Sequence, residues 1–230
     1  VRFPWSRDQA APGAVARPAP NQAGDTTLRC PGLGKILDKL SRIDRPEVLD
    51  LGPFCGDTAV YLAGHGLRVS VEELVPPREG VPAAPRASKD KDKDGKVKPE
   101  AAPRSPTLRI EQPDAKFNAV LVWEACDFVP TPRLPELGAE LCRVLAEPGW
   151  VYLLSVGNTE DPRVPSRPPR YRMIDTERVE RMLVEGPSLK RYVHNPRDIE
   201  RALAGLAVQG IQLQRNQLRE FVLQKRAKNP

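Results

Sequence analysis

The chain has few of the residues around which small secreted or metal-bound folds are built. Its four cysteines, Cys30, Cys55, Cys126 and Cys142, form no Cys-x-x-Cys pair, and its two histidines, His65 and His194, lie far apart. That argues against a disulfide scaffold and a structural zinc site, and makes a reducing cytoplasm the expected location. Aromatic residues are only 5% of the 230. No stretch approaches the ~20 consecutive apolar residues of a membrane span. The opening residues, from Val1 to Trp5, lack the apolar run of a secretory signal. No RNA-binding aromatic motif or zinc finger accompanies the net charge of +6, so the late arginines, Arg163 to Arg191, read as a solubilising surface.

What is present is enough for a core, with hydrophobic residues at 40% and charged residues at 29%. The 26 prolines and 16 glycines are many for one compact fold, and they cluster. Residues 1–30 are rich in Ala, Pro, Gln and Gly without periodicity and read as a disordered arm. Residues 31–230 read as one domain, interrupted at about 76–106 by a Pro-, Ala-, Lys- and Asp-rich stretch that reads as a disordered charged insertion. The arm and the insertion are the candidate contacts for a protein partner.

Within the domain, apolar spacing predicts helices over Gly32–Ile43, Thr58–Ala63, Leu134–Leu145 and Thr176–Val184, and one starting at Pro196 behind the cap Asn195. Strands are predicted at Val48–Leu51, Arg68–Glu72, Leu108–Glu111, Phe117–Trp123 and Trp150–Val156. Two more, Ala207–Gln214 and Arg219–Gln224, lie close enough to form an antiparallel hairpin. Phe117–Trp123 is apolar almost throughout, as a strand covered on both faces should be. The alternation predicts an α/β fold: a Rossmann-like, mostly parallel sheet with helices on both faces and a C-terminal antiparallel hairpin.

In such a sheet the ligand sits beyond the carboxyl ends of the strands, where strand order reverses. The loop after Asp50, the strand end at Glu72 and the strand end at Trp123 should meet there. Gly52 and Gly56 permit a tight turn and close backbone approach, and the following helix offers free N–H groups. Glu72, about twenty residues on, can accept both hydroxyls of a ribose, with Glu73 as the alternative. The Gly-x-Gly-x-x-Gly of a dinucleotide site is not present in Gly52–Asp57.

On these residues the chain resembles the class I S-adenosylmethionine-dependent methyltransferases, whose first motif has the form acid-x-Gly-x-Gly-x-Gly. Asp50, Gly52 and Gly56 match it, while Phe54 stands at the middle glycine, so the motif is degenerate. The resemblance continues through Glu72, through Phe117–Trp123 and into Leu141–Trp150, where it is similar to the family's helix, Pro-Gly turn and fifth strand. It implies S-adenosylmethionine as cofactor, held by Asp50, Gly52, Phe54, Gly56, Glu72 and Trp123. Gln112 or Asp114 could face the adenine. Methyl transfer is an in-line displacement that needs proximity, desolvation and, for a protic acceptor, a base. Glu124 and Asp127 are the candidates for that base.

Cys126 lacks the preceding proline of a cytosine C5 methyltransferase and reads as a small buried residue. His65 and His194 have no partner nearby in sequence and receive no role. The implied function is methyl transfer to an unidentified acceptor, a small molecule or a protein rather than RNA. The competing expectation is a catalytically inactive, methyltransferase-like subunit of a larger assembly, its pocket filled by Phe54.

Overall fold

Apolar residues at alternate strand positions put two cores back to back across one sheet. The computed structural model of the chain describes residues 27–74, 108–157, 167–185, 188–214 and 217–226. The elements are β1 (Thr27–Arg29), α1 (Pro31–Leu40), β2 (Glu47–Asp50), α2 (Gly56–Gly64), β3 (Arg68–Val71), β4 (Phe117–Trp123), α3 (Leu134–Val144), β5 (Leu145–Val156), β6 (Arg170–Met173), β7 (Arg178–Met182), α4 (Pro196–Ala202), β8 (Leu206–Leu213) and β9 (Leu218–Lys225). Six of the strands form one sheet in the order β3-β2-β4-β5-β9-β8. β2 pairs in parallel with β3 and β4, and β4 with β5, whereas β9 runs antiparallel to both β5 and β8.

On one face, Val48, Ala119, Leu121, Tyr152 and Leu154 pack against Leu33, Ile36 and Leu40 of α1 and Leu62 of α2. On the other, Leu49, Val120, Val122, Val151, Leu153 and Phe221 pack against α3 and α4 through Leu137, Leu141, Val144 and Ile199. β4 contributes to both cores, which is why its sequence is apolar without alternation. The expected architecture, helices on both faces and a closing hairpin, is therefore present. Among the described residues no helix is long and apolar enough to cross a membrane.

Three local expectations are corrected. The helix expected over Thr176–Val184 is instead the strand β7, which joins β1 and β6 in a second, antiparallel sheet of order β1-β7-β6. Val179, Met182 and Leu183 fit helical spacing as well as strand spacing. Pairing of Val179 with Leu28 and Met173 decides the matter. β1 also lies within the stretch read as a disordered arm, so order begins at Thr27 rather than near Leu33; the rest of that arm and the insertion at 76–106 lie outside the described residues.

Finally, Leu108–Glu111 is not a strand. Its backbone is bonded to side chains instead: Leu108 N–H to Glu136 (3.0 Å), Ile110 N–H to Glu140 (2.9 Å), and the Ile110 carbonyl to Arg143 (2.7 Å). Side chains of α3 thus satisfy polar groups that a ladder would otherwise pair.

Candidate functional site

β2 has neighbours on both sides, β3 reached through α2 and β4 reached later in the chain, so the switch in strand order falls at its carboxyl end. There the Asp50 carboxylate is buried, and its Oδ1 accepts hydrogen bonds from the Gly52 N–H (2.9 Å) and the Trp123 indole N–H (2.8 Å). Burial pushes the Asp50 carboxyl up to about 6, against the pull of those two donors. A Cβ at position 52 would stand 2.6 Å from Cδ1 of Trp123. Only glycine lets the indole lie on this turn.

Phe54 does not fill the hollow, contrary to expectation: it is 53% exposed. The ring lying on the turn belongs to Trp123, which is 2% exposed, stacked on Tyr171 at 4.6 Å and edge-on to Tyr152 at 5.5 Å. Trp123 has a left-handed backbone, with φ of 50°. Gly56, the other matching glycine, opens α2; a Cβ there would first meet the Phe54 ring, at 3.9 Å.

The neighbouring acids lie where the sequence pointed. Glu72 follows β3, its N–H bonded to the Asp50 carbonyl (2.9 Å), which ties the two strand ends together. Its carboxylate accepts from the Glu111 N–H (2.7 Å) and the Gln112 amide (3.1 Å), and the residue remains half-exposed. Glu73 accepts the Phe54 N–H (3.0 Å). Asp114 is drawn to Arg143 (2.6 Å) instead of facing this corner.

Glu124 and Asp127, expected as bases, are both fully buried, and each lies against an arginine. Glu124 takes a bidentate pair of hydrogen bonds from Arg181 (2.7 Å each) and further bonds from Arg191 and the Tyr171 hydroxyl. Burial would raise its pKa, but the two guanidiniums outweigh it and hold the carboxyl below its ordinary range. Asp127 accepts from the Ser155 hydroxyl (2.7 Å) and the Val156 N–H (2.8 Å) and lies 3.5 Å from Arg191. Burial, with the Glu124 charge beside it, pushes Asp127 up to about 7 despite Arg191. These groups form the foundation beneath Tyr171, and hence beneath Trp123.

Arg181 and Arg191 were missed because they sit in a run of arginines that reads as surface. A signal existed for Arg181: it alternates with Glu180 and Met182, and in register it faces the buried Tyr171. Thr58 also holds this wall, donating its hydroxyl to the Tyr171 carbonyl (2.6 Å) and accepting from the Met173 N–H (3.0 Å). Cys126 is buried, with its thiol raised well above the usual range by burial and then by Asp127. His65 is bonded to the Tyr61 carbonyl, and His194 lies between Thr131 and the Cys126 carbonyl.

Leu51, Pro53, Glu73, Leu74 and Arg167 surround a remnant cavity of about 40 Å³ at the mouth of this corner. A small-molecule site usually needs roughly 300–1,000 Å³. The cavity is far below that range, Glu72 lies outside its lining, and the Trp123 ring lies on the Asp50–Gly52 turn.

No family model matches the chain, and no curated protein matches its sequence. Several solved structures are similar to it at low identity. An S-adenosylmethionine-dependent methyltransferase from Methanosarcina mazei is 15% identical, over 84% of this chain and 98% of that one, with a TM-score of 0.46. The 1,6-didemethyltoxoflavin N1-methyltransferase of Burkholderia thailandensis, solved with its substrate and S-adenosylhomocysteine, is 17% identical over 85% and 79%, with a TM-score of 0.43. A TehB-like S-adenosylmethionine-dependent methyltransferase from Corynebacterium glutamicum is 13% identical over 85% and 88%, with a TM-score of 0.43. The fold assignment rests on the strand order and register described above.

Proposed function

We propose that the chain is an S-adenosylmethionine-dependent methyltransferase whose cofactor lies across the carboxyl ends of β2, β3 and β4, and that the conformation described is its closed form. The observation that carries this reading is the pairing of the Asp50–Gly52 turn with Glu72 on adjacent parallel strand ends at the switch point. The Glu72 carboxylate takes the ribose hydroxyls in exchange for the Gln112 amide. The N–H groups opening α2 and the Asp50 carboxylate become available to the methionine end once the indole has left.

The cofactor, when bound, supplies an electrophilic methyl group. The chain supplies position and desolvation. Glu124 and Asp127 brace the wall through Arg181, Arg191 and Tyr171 and take no proton from an acceptor. A small-molecule or protein acceptor agrees with the absence of an RNA-binding motif.

The Trp123 ring over Gly52 also supports a second reading: a methyltransferase-like protein that has given up catalysis. Calorimetric titration with S-adenosylmethionine and S-adenosylhomocysteine separates the two, using the wild-type chain, Trp123→Ala and the milder Trp123→Phe. The methyltransferase reading expects wild-type binding that tightens at least about tenfold, some 1.4 kcal/mol, when the ring is cut back. Binding by the variants alone supports the second reading. No binding by any chain that is folded by circular dichroism defeats the methyltransferase reading and leaves the second standing.

A further inference from the structure

The sheet is left uncovered at its β8 end, on the face that carries α1. Between α1 and the edge strand lies a cavity of about 360 Å³, within the range of small-molecule sites. It runs along β9 from Glu220 to Gln224. β9 is three positions from β2 in the sheet, roughly 14 Å at the usual strand spacing, so the cavity is separate from the strand-end corner.

Its floor is apolar, made by Val222 and Trp150, both 8% exposed. Lys35 and Lys39 form one wall, spaced i,i+4 on α1 and therefore on one side of the helix. Gln209 and Gln212 of β8 stand opposite. The one acid lining it, Glu220, is tied down at Oε1, which accepts the Gly32 and Leu33 N–H groups (3.0 and 3.3 Å) at the start of α1, while its Oε2 is buried with no hydrogen-bond partner among the described residues. Among the described residues no carboxylate comes within ion-pair distance of Lys35 or Lys39; the Lys39 ammonium lies over the Trp150 ring, 4.8 Å from its centre.

Gly210 keeps the space open. It pairs with Val222 in the ladder, so a side chain there would enter the cavity beside Val222. A Cβ at this position meets nothing within 4 Å, and its φ is not positive. The β8–β9 ladder has a bulge between Val208 and Gly210, and the glycine that ends it leaves the trough unfilled.

We infer that this trough binds a small polyanion with two negatively charged groups, phosphate or carboxylate, one to each lysine, with the glutamine amides bonding its remaining polar atoms. The inference does not depend on the methyltransferase reading.

The test is titration calorimetry on the full chain at low ionic strength, with pyrophosphate and, separately, citrate as probes. Saturable binding of at least one is expected, and which one binds identifies the charged group. The double variant Lys35→Gln/Lys39→Gln should weaken it at least about tenfold. Gly210→Leu, which fills the trough without changing charge, should do the same. Arg42→Gln removes a charge from just beyond α1, outside the trough, and should leave binding unchanged.

Trp150 fluorescence gives a readout independent of the Gly210 variant: a ligand-induced change should vanish in Trp150→Phe. No saturable binding of either anion, equal weakening by Arg42→Gln, unaltered binding by folded Gly210→Leu, or a fluorescence change surviving Trp150→Phe would each overturn the inference.

Discussion

Asp50 divides the strand-end corner into two sides that differ in almost every physical respect. On the β3 side, Glu72 and Gln112 are half-exposed and hold one another through bonds that a ribose could replace. On the β4 side, Trp123, Tyr171, Glu124 and Asp127 are buried and interlocked, and the guanidiniums of Arg181 and Arg191 close the network. One side is held by bonds that are simple to exchange; on the other the ion-paired acids are fixed, and the Trp123 ring is the part that the proposed cofactor site requires to move. The contrast teaches that matching motif residues show where a cofactor would be sought, while the residues packed on them decide whether that corner is open.

The contrast can be broken most severely at Glu124. Glu124→Ala leaves two guanidiniums in a buried space without their carboxylate, and should lower stability by about 3–5 kcal/mol in urea unfolding. A loss under 1 kcal/mol would mean that the network is not structural.

Protonation tests the same side more gently. The folded-state value of Asp50, about 6, lies above the ordinary 3.8. Its contribution to stability is therefore complete below about pH 4 and lost as pH rises through about 6. Asp50→Asn keeps the one oxygen that accepts both hydrogen bonds and cannot ionise. The stability of this variant relative to wild type should grow by up to about 3 kcal/mol between pH 4 and 7, measured by denaturation at each pH. A gap independent of pH would contradict the burial of an ionisable carboxyl here.

Next in size is Gly52→Ala, whose new methyl collides with the indole and should cost about 1–3 kcal/mol. In a Trp123→Ala background the same change should cost markedly less, and a double-mutant cycle measures the difference. Additive effects would show that the ring does not rest on the turn. The smallest effect belongs to the open side: Glu72→Gln should change stability by less than about 1 kcal/mol while weakening adenosylmethionine or adenosylhomocysteine binding several-fold. Equal loss in stability and in affinity would make Glu72 a structural acid like Glu124.

The large sheet was legible because its strands carry their own signatures. Val48–Leu51 and Phe117–Trp123 are short apolar runs, and Leu134–Leu145 keeps helical spacing, so each segment's partner could be inferred from hydrophobic pattern alone. The small sheet was not. β1 is three residues long, and β7 carries two arginines and a glutamate, so neither has an apolar pattern independent of its neighbours. Leu108–Glu111 had strand propensity, but glutamates from a helix thirty residues away took its backbone donors.

At the site, the turn residues Asp50, Gly52 and Gly56 and the acid Glu72 were readable from spacing. The fates of Phe54 and Trp123 were not, since an aromatic residue in a loop and one at a strand end look alike until their χ angles and neighbours are known.

By itself, the sequence determined the parallel body of the sheet, the turn after Asp50 and the acid one strand away, because each depends on local periodicity or on a few adjacent residues. Only the tertiary structure decided which ring covers that turn, that Glu124 and Asp127 are buried against Arg181 and Arg191, and that Lys35, Lys39 and Gly210 share one cavity. Those outcomes depend on groups far apart in the chain meeting in a buried space, where an unpaired charge or an unfilled volume costs several kcal/mol and selects a single arrangement.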